Sequence, residues 1–294
     1  MMSYIHLKYG QTSAIVNTVG AEMISFKGAD GREVIWQGDP AVWSGHSPVL
    51  FPVCGMPKDG HVIIEGVSYP MKKHGFAMGA EFEVAKVGED FVELVLLPSE
   101  ESRLQYPFEF VFHITYTLYE NGYRTDYVVE NKSERVMPFC VGGHPAFNVP
   151  MEAGASYTDY QLVFPHKELG RNLLVPGGNL VSDEDIIPLE NGNTIPLSHA
   201  LFDERDTLLM PDMHSREVKL VHKATGKGIH FSYPKMEVLA VWSMPVKHGD
   251  YVCLEPWHGL PGLINESGTF AEKPYVTMLE PGKSHLCGYC VELI

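Results

Sequence analysis

Basic residues are scarce in this chain: 22 lysines and arginines stand against 37 aspartates and glutamates, for a formal net charge of −15. Binding to phosphate backbones or anionic lipid needs clustered Lys and Arg, and no run here is dense enough to overturn the balance. Nucleic acid and membrane surfaces are therefore not expected partners, and a neutral or cationic small molecule fits better. Long apolar runs are missing as well. No stretch reaches the roughly 18 residues that read as a membrane-crossing helix, and the opening MMSYIHLKYG has neither the basic nor the apolar region of a secretory leader. Cysteine is sparse and odd in number: Cys54, Cys140, Cys253, Cys287 and Cys290. Such scatter predicts reduced thiols and a cytoplasmic location rather than a disulfide framework. Cys287-Gly288-Tyr289-Cys290 is one C-x-x-C without a second pair, and a structural zinc needs more ligands, so two half-buried strand cysteines are expected. The chain also has no G-x-S-x-G elbow, no phosphate-binding P-loop and no H-E-x-x-H. No short-spaced metal or phosphate motif is therefore present, and a metal site would have to be built from distant members of the 14 histidines.

The dominant period of the sequence is two. In FEFVFHITYTL, the residues Phe108, Phe110, Phe112, Ile114, Tyr116 and Leu118 fall on one face, and mainly polar residues on the other, the signature of a half-buried strand. Asn121-Gly122 and then YRTDYVVEN follow, which predicts a hairpin whose turn uses the positive φ these residues tolerate. HVIIEGVSY, FVELVLL, VKLVH, IHFSY, EVLAVWS and YVCLEPW read as further strands, with turn residues between them. Helical signals are few, one being Ser198 placed to cap a turn or two in SHALFDERD. The class is all-β, with many antiparallel strands in two large packed sheets. No linker divides the chain. The Gly-, Asn-, Pro- and Asp-rich segment 169–196 reads as an excursion from a single domain spanning 1–294, not as a boundary.

Three stretches set a titratable group among Gly, Pro or aromatic neighbours: KHGFA (Lys73 to Ala77), GHPAF (Gly143 to Phe147) and LEPWHG (Leu254 to Gly259). Such neighbours restrict the side chain, as proton transfer at a defined atom requires. Glu255 ends an apolar strand beside Pro256 and Trp257, where desolvation would raise its pKa toward that of a useful base. His144 and His74 offer imidazoles that titrate near neutrality. Asp206 precedes the apolar run TLLM and could face a ligand from a strand start. Each of these residues taken alone reads more readily as structural, Glu255 as an exposed strand end, Asp206 as a turn acid and the histidines as packing, and none is decisive.

Together the stretches resemble the aldose 1-epimerase (galactose mutarotase) family, and most of all its bacterial LacX-like branch. The resemblance runs through WSGHSPVLFPVCG (Trp43 to Gly55), GVSYP (Gly66 to Pro70), KHGFA, GHPAF, DTLL (Asp206 to Leu209) and CLEPWHG (Cys253 to Gly259), in order over nearly the whole chain. It implies a β-supersandwich with a sugar site on a concave face, and interconversion of the α and β anomers of a free aldose without cofactor or metal. By matching motifs, His144 would be the general acid at the ring oxygen and Glu255 the general base at the anomeric hydroxyl. His74 would assist at the ring oxygen, and Asp206 would accept bonds from sugar hydroxyls. The chemistry fits one acid and one base on opposite sides of a sugar, with Trp257 and Phe147 packing against its apolar face or simply against the core. Relatives commonly carry Arg two positions after the Phe of HGFA. Here the residue is Met78, which argues against a sugar-phosphate substrate because the bidentate donor is absent. The other readings are a sugar-binding protein without activity on the same scaffold, and a lyase or hydrolase on a similar sandwich.

Overall fold

The computed structural model describes residues 3–294. Among them, two large antiparallel sheets dominate. The first has nine strands, in the order Thr194–Pro196, Tyr160–Val163, Glu217–His222, Gly228–Ser232, Ser284–Leu293, Gly122–Asn131, Phe110–Tyr119, Phe91–Leu96 and Glu83–Val87. The second has eight. Seven run in the order Asp183–Ile186, Arg171–Leu174, Thr207–Pro211, Val238–Trp242, Tyr251–His258, Val141–Gly143 and Val49–Leu50, and Ala146–Asn148 also pairs with Tyr251–His258. The excursion 169–196 supplies edge strands to both sheets and carries no separate core.

Alternation decides which side chains meet between the sheets. Phe108, Phe110, Phe112, Ile114, Tyr116 and Leu118 are all buried in the main core, as their period predicts. Phe147, from the eight-stranded sheet, meets Phe231, from the nine-stranded sheet, with ring centroids 6.0 Å apart. The expected hairpin forms one residue earlier than its Asn-Gly suggests: Tyr119 pairs with Gly122, so Glu120 and Asn121 make the turn, and Asn121 takes the positive φ of 61°. Gly122 is needed for space instead, since a Cβ there would lie 2.3 Å from the Val291 carbonyl oxygen. Ser198 does sit at the N-terminus of the helix His199–Arg205, but its side chain makes no capping bond.

Both cysteines of the C-x-x-C lie in the strand Ser284–Leu293, and all five cysteines are free. Cys287 is buried within the core, whereas Cys290, an odd number of residues away, points to the other face and is partly exposed. No helix of the described residues is long and apolar enough to cross a membrane.

Candidate active site

The strand Tyr251–His258 is buried along its whole length, so its two faces do different work. Val252 and Leu254 enter the main core, while Tyr251 and Cys253 join a second apolar cluster with Trp43, Trp242 and Met244. Glu255 continues that second face and opens into a cavity of about 270 Å³. His144 reaches the same cavity from a break between two short strands, Val141–Gly143 and Ala146–Asn148, both paired to Tyr251–His258. Its backbone N–H donates to the Pro48 carbonyl (2.9 Å), and the Pro145 carbonyl accepts from the Leu254 N–H (3.1 Å). The two preceding glycines are steric necessities. A Cβ on Gly142 would lie 2.4 Å from Cδ1 of Trp257, and one on Gly143 would lie 2.8 Å from the Tyr127 hydroxyl.

His144 Nε2 lies 3.2 Å from Glu255 Oε2. The two groups are therefore neighbours, not partners facing each other across a whole sugar ring. Aromatic rings enclose the imidazole: Trp43 stacks on it at 5.2 Å and 26°, and Trp242 meets it edge-on at 5.6 Å. Burial in this setting drives His144 down to about 3, and the Lys73 ammonium adds to the effect. Burial also pushes the Glu255 carboxyl well above its ordinary 4.5, with Asp206 reinforcing and Lys73 opposing the rise. Both shifts have one physical cause, the cost of holding charge in a dry pocket. A pair with one proton between them can exist as neutral imidazole with carboxylic acid, or as imidazolium with carboxylate, and desolvation favours the neutral form.

His74 stands at the cavity wall, edge-on to His144 (5.7 Å) and to Trp257 (5.9 Å). Its Nδ1 accepts the Gly55 N–H at 3.1 Å, and its own backbone N–H donates to the Gly55 carbonyl at 2.9 Å. With Nδ1 an acceptor, the neutral ring carries its hydrogen on Nε2. Desolvation holds His74 well below the usual imidazole range, with His144 and Lys73 adding to it, so it is a neutral donor near pH 7. Asp206 follows the helix His199–Arg205 with φ 61° and accepts the hydroxyl of Thr207, a cavity residue, at 3.0 Å, but it borders a neighbouring hollow with Pro176, Gly177 and Phe202 and does not itself line the cavity. Burial raises its pKa while Thr207 and Lys73 oppose the rise. Asp203, three residues earlier, is engaged elsewhere, with the Val246 N–H (2.7 Å) and His248 (2.8 Å).

Trp257 lines the cavity, but Phe147 does not. Phe147 is fully buried in the main core, on the face of its strand opposite Ala146, so its expected contact with a sugar face is corrected to inter-sheet packing. Met78, exposed, lines the mouth together with Lys73. The sequence reading passed over Lys73, Trp43, Trp242 and Thr207 as site residues. Lys73, Trp43 and Thr207 lie inside the resembling stretches, whereas Trp242 carries no local signal and is brought in by strand pairing with Thr207. Cys253, two residues before Glu255, is buried behind the cavity wall, and His144, Cys253 and Glu255, with ligand-type atoms within 4.8 Å of one another, form the group there that could hold a metal ion.

This arrangement has sequence relatives. The family described as Aldose 1-epimerase matches residues 3–284. The chain belongs to the aldose 1-epimerase family. Protein LacX of Lactococcus lactis subsp. lactis is 33% identical over 285 residues, covering 94% of this chain and 95% of that protein. Among solved structures, the galactose mutarotase related enzyme of Lactobacillus acidophilus superposes with a TM-score of 0.91 at 29% identity, over 99% of this chain and 97% of that one. A galactose mutarotase-like protein from Lactobacillus casei gives 0.92 at 28% identity, over 99% and 100%. The fold of this aldose 1-epimerase family member is thus galactose mutarotase-like, and its family places it in carbohydrate chemistry.

Proposed function

We propose that this protein is a mutarotase that interconverts the α and β anomers of a free aldohexose. The observation that carries the reading is the His144–Glu255 pair, 3.2 Å apart inside a cavity with tryptophan walls. The two oxygens that must exchange protons in a hemiacetal, the ring oxygen and the anomeric hydroxyl, share one carbon. An acid and a base meant for them must therefore be neighbours.

In the forward step the Glu255 carboxylate takes the anomeric hydroxyl proton while the His144 imidazolium gives its proton to the ring oxygen. The bond from C1 to the ring oxygen breaks and the aldehyde forms. The pair is left as carboxylic acid and neutral imidazole, the distribution that burial favours, so the dry pocket stabilises the ring-open stage. Rotation about the C1–C2 bond exposes the other aldehyde face. Ring closure then returns both protons and resets the pair. His74, neutral with its Nε2 hydrogen available, donates at the ring-oxygen side. Asp206 accepts from sugar hydroxyls at the rim, and Trp257 covers the apolar face of the ring.

The cavity's volume of about 270 Å³, near the lower end of small-molecule pockets, suits a monosaccharide better than an oligosaccharide. The test is polarimetry on freshly dissolved α-glucose and α-galactose. Faster equilibration with no new product is expected, and His144→Asn or Glu255→Gln should each slow it by about 10²–10⁴-fold, the usual range for one acid–base group. No acceleration with any of a broad panel of free sugars would sink the reading in favour of a sugar-binding protein without activity. A new product would favour a lyase or hydrolase.

A further inference from the structure

Outside this cavity a second cluster stands where the two large sheets meet. His258 closes the strand Tyr251–His258 of the eight-stranded sheet, while His285 and Cys287 lie two residues apart, on one face of the strand Ser284–Leu293 of the nine-stranded sheet. Their ligand-type atoms lie within 4.8 Å of one another, and the two imidazoles meet edge-on at 4.9 Å. His258 is 7% exposed. Its Nδ1 is 3.3 Å from Oε2 of Glu237, and since a carboxylate can only accept, Nδ1 carries the hydrogen. Nε2 of His258 is then a bare lone pair, buried and without a hydrogen-bond partner, and Nε2 of His285 is also buried and unpartnered. Leaving such atoms unsatisfied costs about 1–3 kcal/mol each, and a carboxylate behind a histidine is the usual support for a metal-binding imidazole.

We propose that His258 Nε2, His285 Nε2 and Cys287 Sγ form a binding site for a divalent transition-metal ion of borderline softness, with zinc as the type case, that clips the two sheets together. Two imidazoles and one thiolate suit tetrahedral zinc, and solvent supplies the fourth ligand past the half-exposed Glu237 side chain. Zinc holds its ligand atoms at about 2.0–2.3 Å from the metal, which sets them closer together than they stand here, so binding draws the three side chains inward. Binding also displaces the Cys287 thiol proton to solvent. Burial opposes that loss and the nearby Lys235 ammonium assists it. The C-x-x-C takes no part as a pair, because Cys290 faces away from Cys287. The site lies on the face of Tyr251–His258 opposite Glu255 and is independent of the proposed sugar chemistry.

The test uses the full chain, reduced and stripped with a chelator, then titrated with Co²⁺ and Zn²⁺. One cobalt ion per chain should bind, with a thiolate-to-cobalt charge-transfer band in the near ultraviolet that zinc abolishes. Zinc should also raise the melting temperature. Cys287→Ser should remove the band and the thermal shift, and Cys253→Ser and Cys290→Ser should keep both. Glu237→Gln should weaken zinc binding by about 10–100-fold. His285→Asn, at a partly exposed position, should also lose the thermal shift and guards against a misfolded serine variant, with circular dichroism checking the fold. Absence of the band in wild type, its survival in Cys287→Ser, its loss in Cys253→Ser, or unchanged zinc affinity in Glu237→Gln would each overturn the proposal.

Discussion

Changing the pH from about 5.5 to about 7.5 tests the electrostatics of the His144–Glu255 pair most directly. With ordinary values, 6.5 for the imidazole and 4.5 for the carboxyl, imidazolium and carboxylate would coexist chiefly between those limits. The rate would then fall about tenfold over that rise in pH, as the imidazolium is lost. Burial reverses the order, with His144 held at about 3 and Glu255 raised well above 4.5. The pair keeps one shared proton from about pH 3 up to the raised value of the carboxyl, and the charged form that starts the reaction is a constant fraction of that state. The expected result is a kcat/KM without the roughly tenfold decline centred near 6.5 that an ordinary imidazole would give. The assay is polarimetric, with the solvent's own mutarotation subtracted at each pH. A decline of about tenfold centred near 6.5 would refute the reasoning, because His144 would then be titrating as an exposed imidazole. The stability signs follow from the same shifts. The depressed His144 contributes stability that is present above 6.5 and lost as pH falls toward about 3. The raised Glu255 contributes stability that is present below 4.5 and lost as pH rises through its folded value. At neutral pH the carboxyl therefore opposes folding, and Glu255→Gln should melt no lower than wild type even as turnover collapses. Differential scanning calorimetry beside the rate assay separates a chemical defect from a folding one.

Two further outcomes follow from the same geometry. Gly75→Ala should destabilise the fold by about 2 kcal/mol or more, measured by urea unfolding, because Gly75 has φ 77° and a Cβ there would lie 2.2 Å from the Phe51 carbonyl oxygen. Near-wild-type stability would mean that the turn behind His74 is not held as described. Glucose 6-phosphate should bind no more tightly than glucose in calorimetry, since the cavity mouth offers Lys73 as a point charge and Met78 where a bidentate arginine would grip phosphate. A clear phosphate preference would mean that Lys73 suffices alone.

The all-β class was legible because alternation is a local property: the strand through Phe110 and Tyr116 announces its buried face residue by residue. His144, Glu255 and His74 stood out as candidates for a related reason, since glycine, proline and aromatic neighbours mark a restricted backbone even where the partner across the sheet is unknown, and the three line one cavity. Sequence could not show that His144 and Glu255 touch, because that contact depends on a broken strand pairing twice with Tyr251–His258. It also misassigned Phe147, whose motif membership suggested the cavity while its parity along the strand sends it into the core. The two histidine-rich clusters make the same point from opposite directions. Cys287 has a sequence neighbour, Cys290, that spacing offers as its partner, yet a separation of three in a strand puts the two on opposite faces. The partner on the same face is His285, two residues away, and the third member, His258, comes from a strand in the other sheet. Period-two geometry thus rejects the pairing that the motif suggests and supplies one that no motif records. Long-range strand order, not local pattern, decides which polar groups meet in a β-sandwich, and both the cavity pair and the His258–His285–Cys287 cluster are assembled at that level.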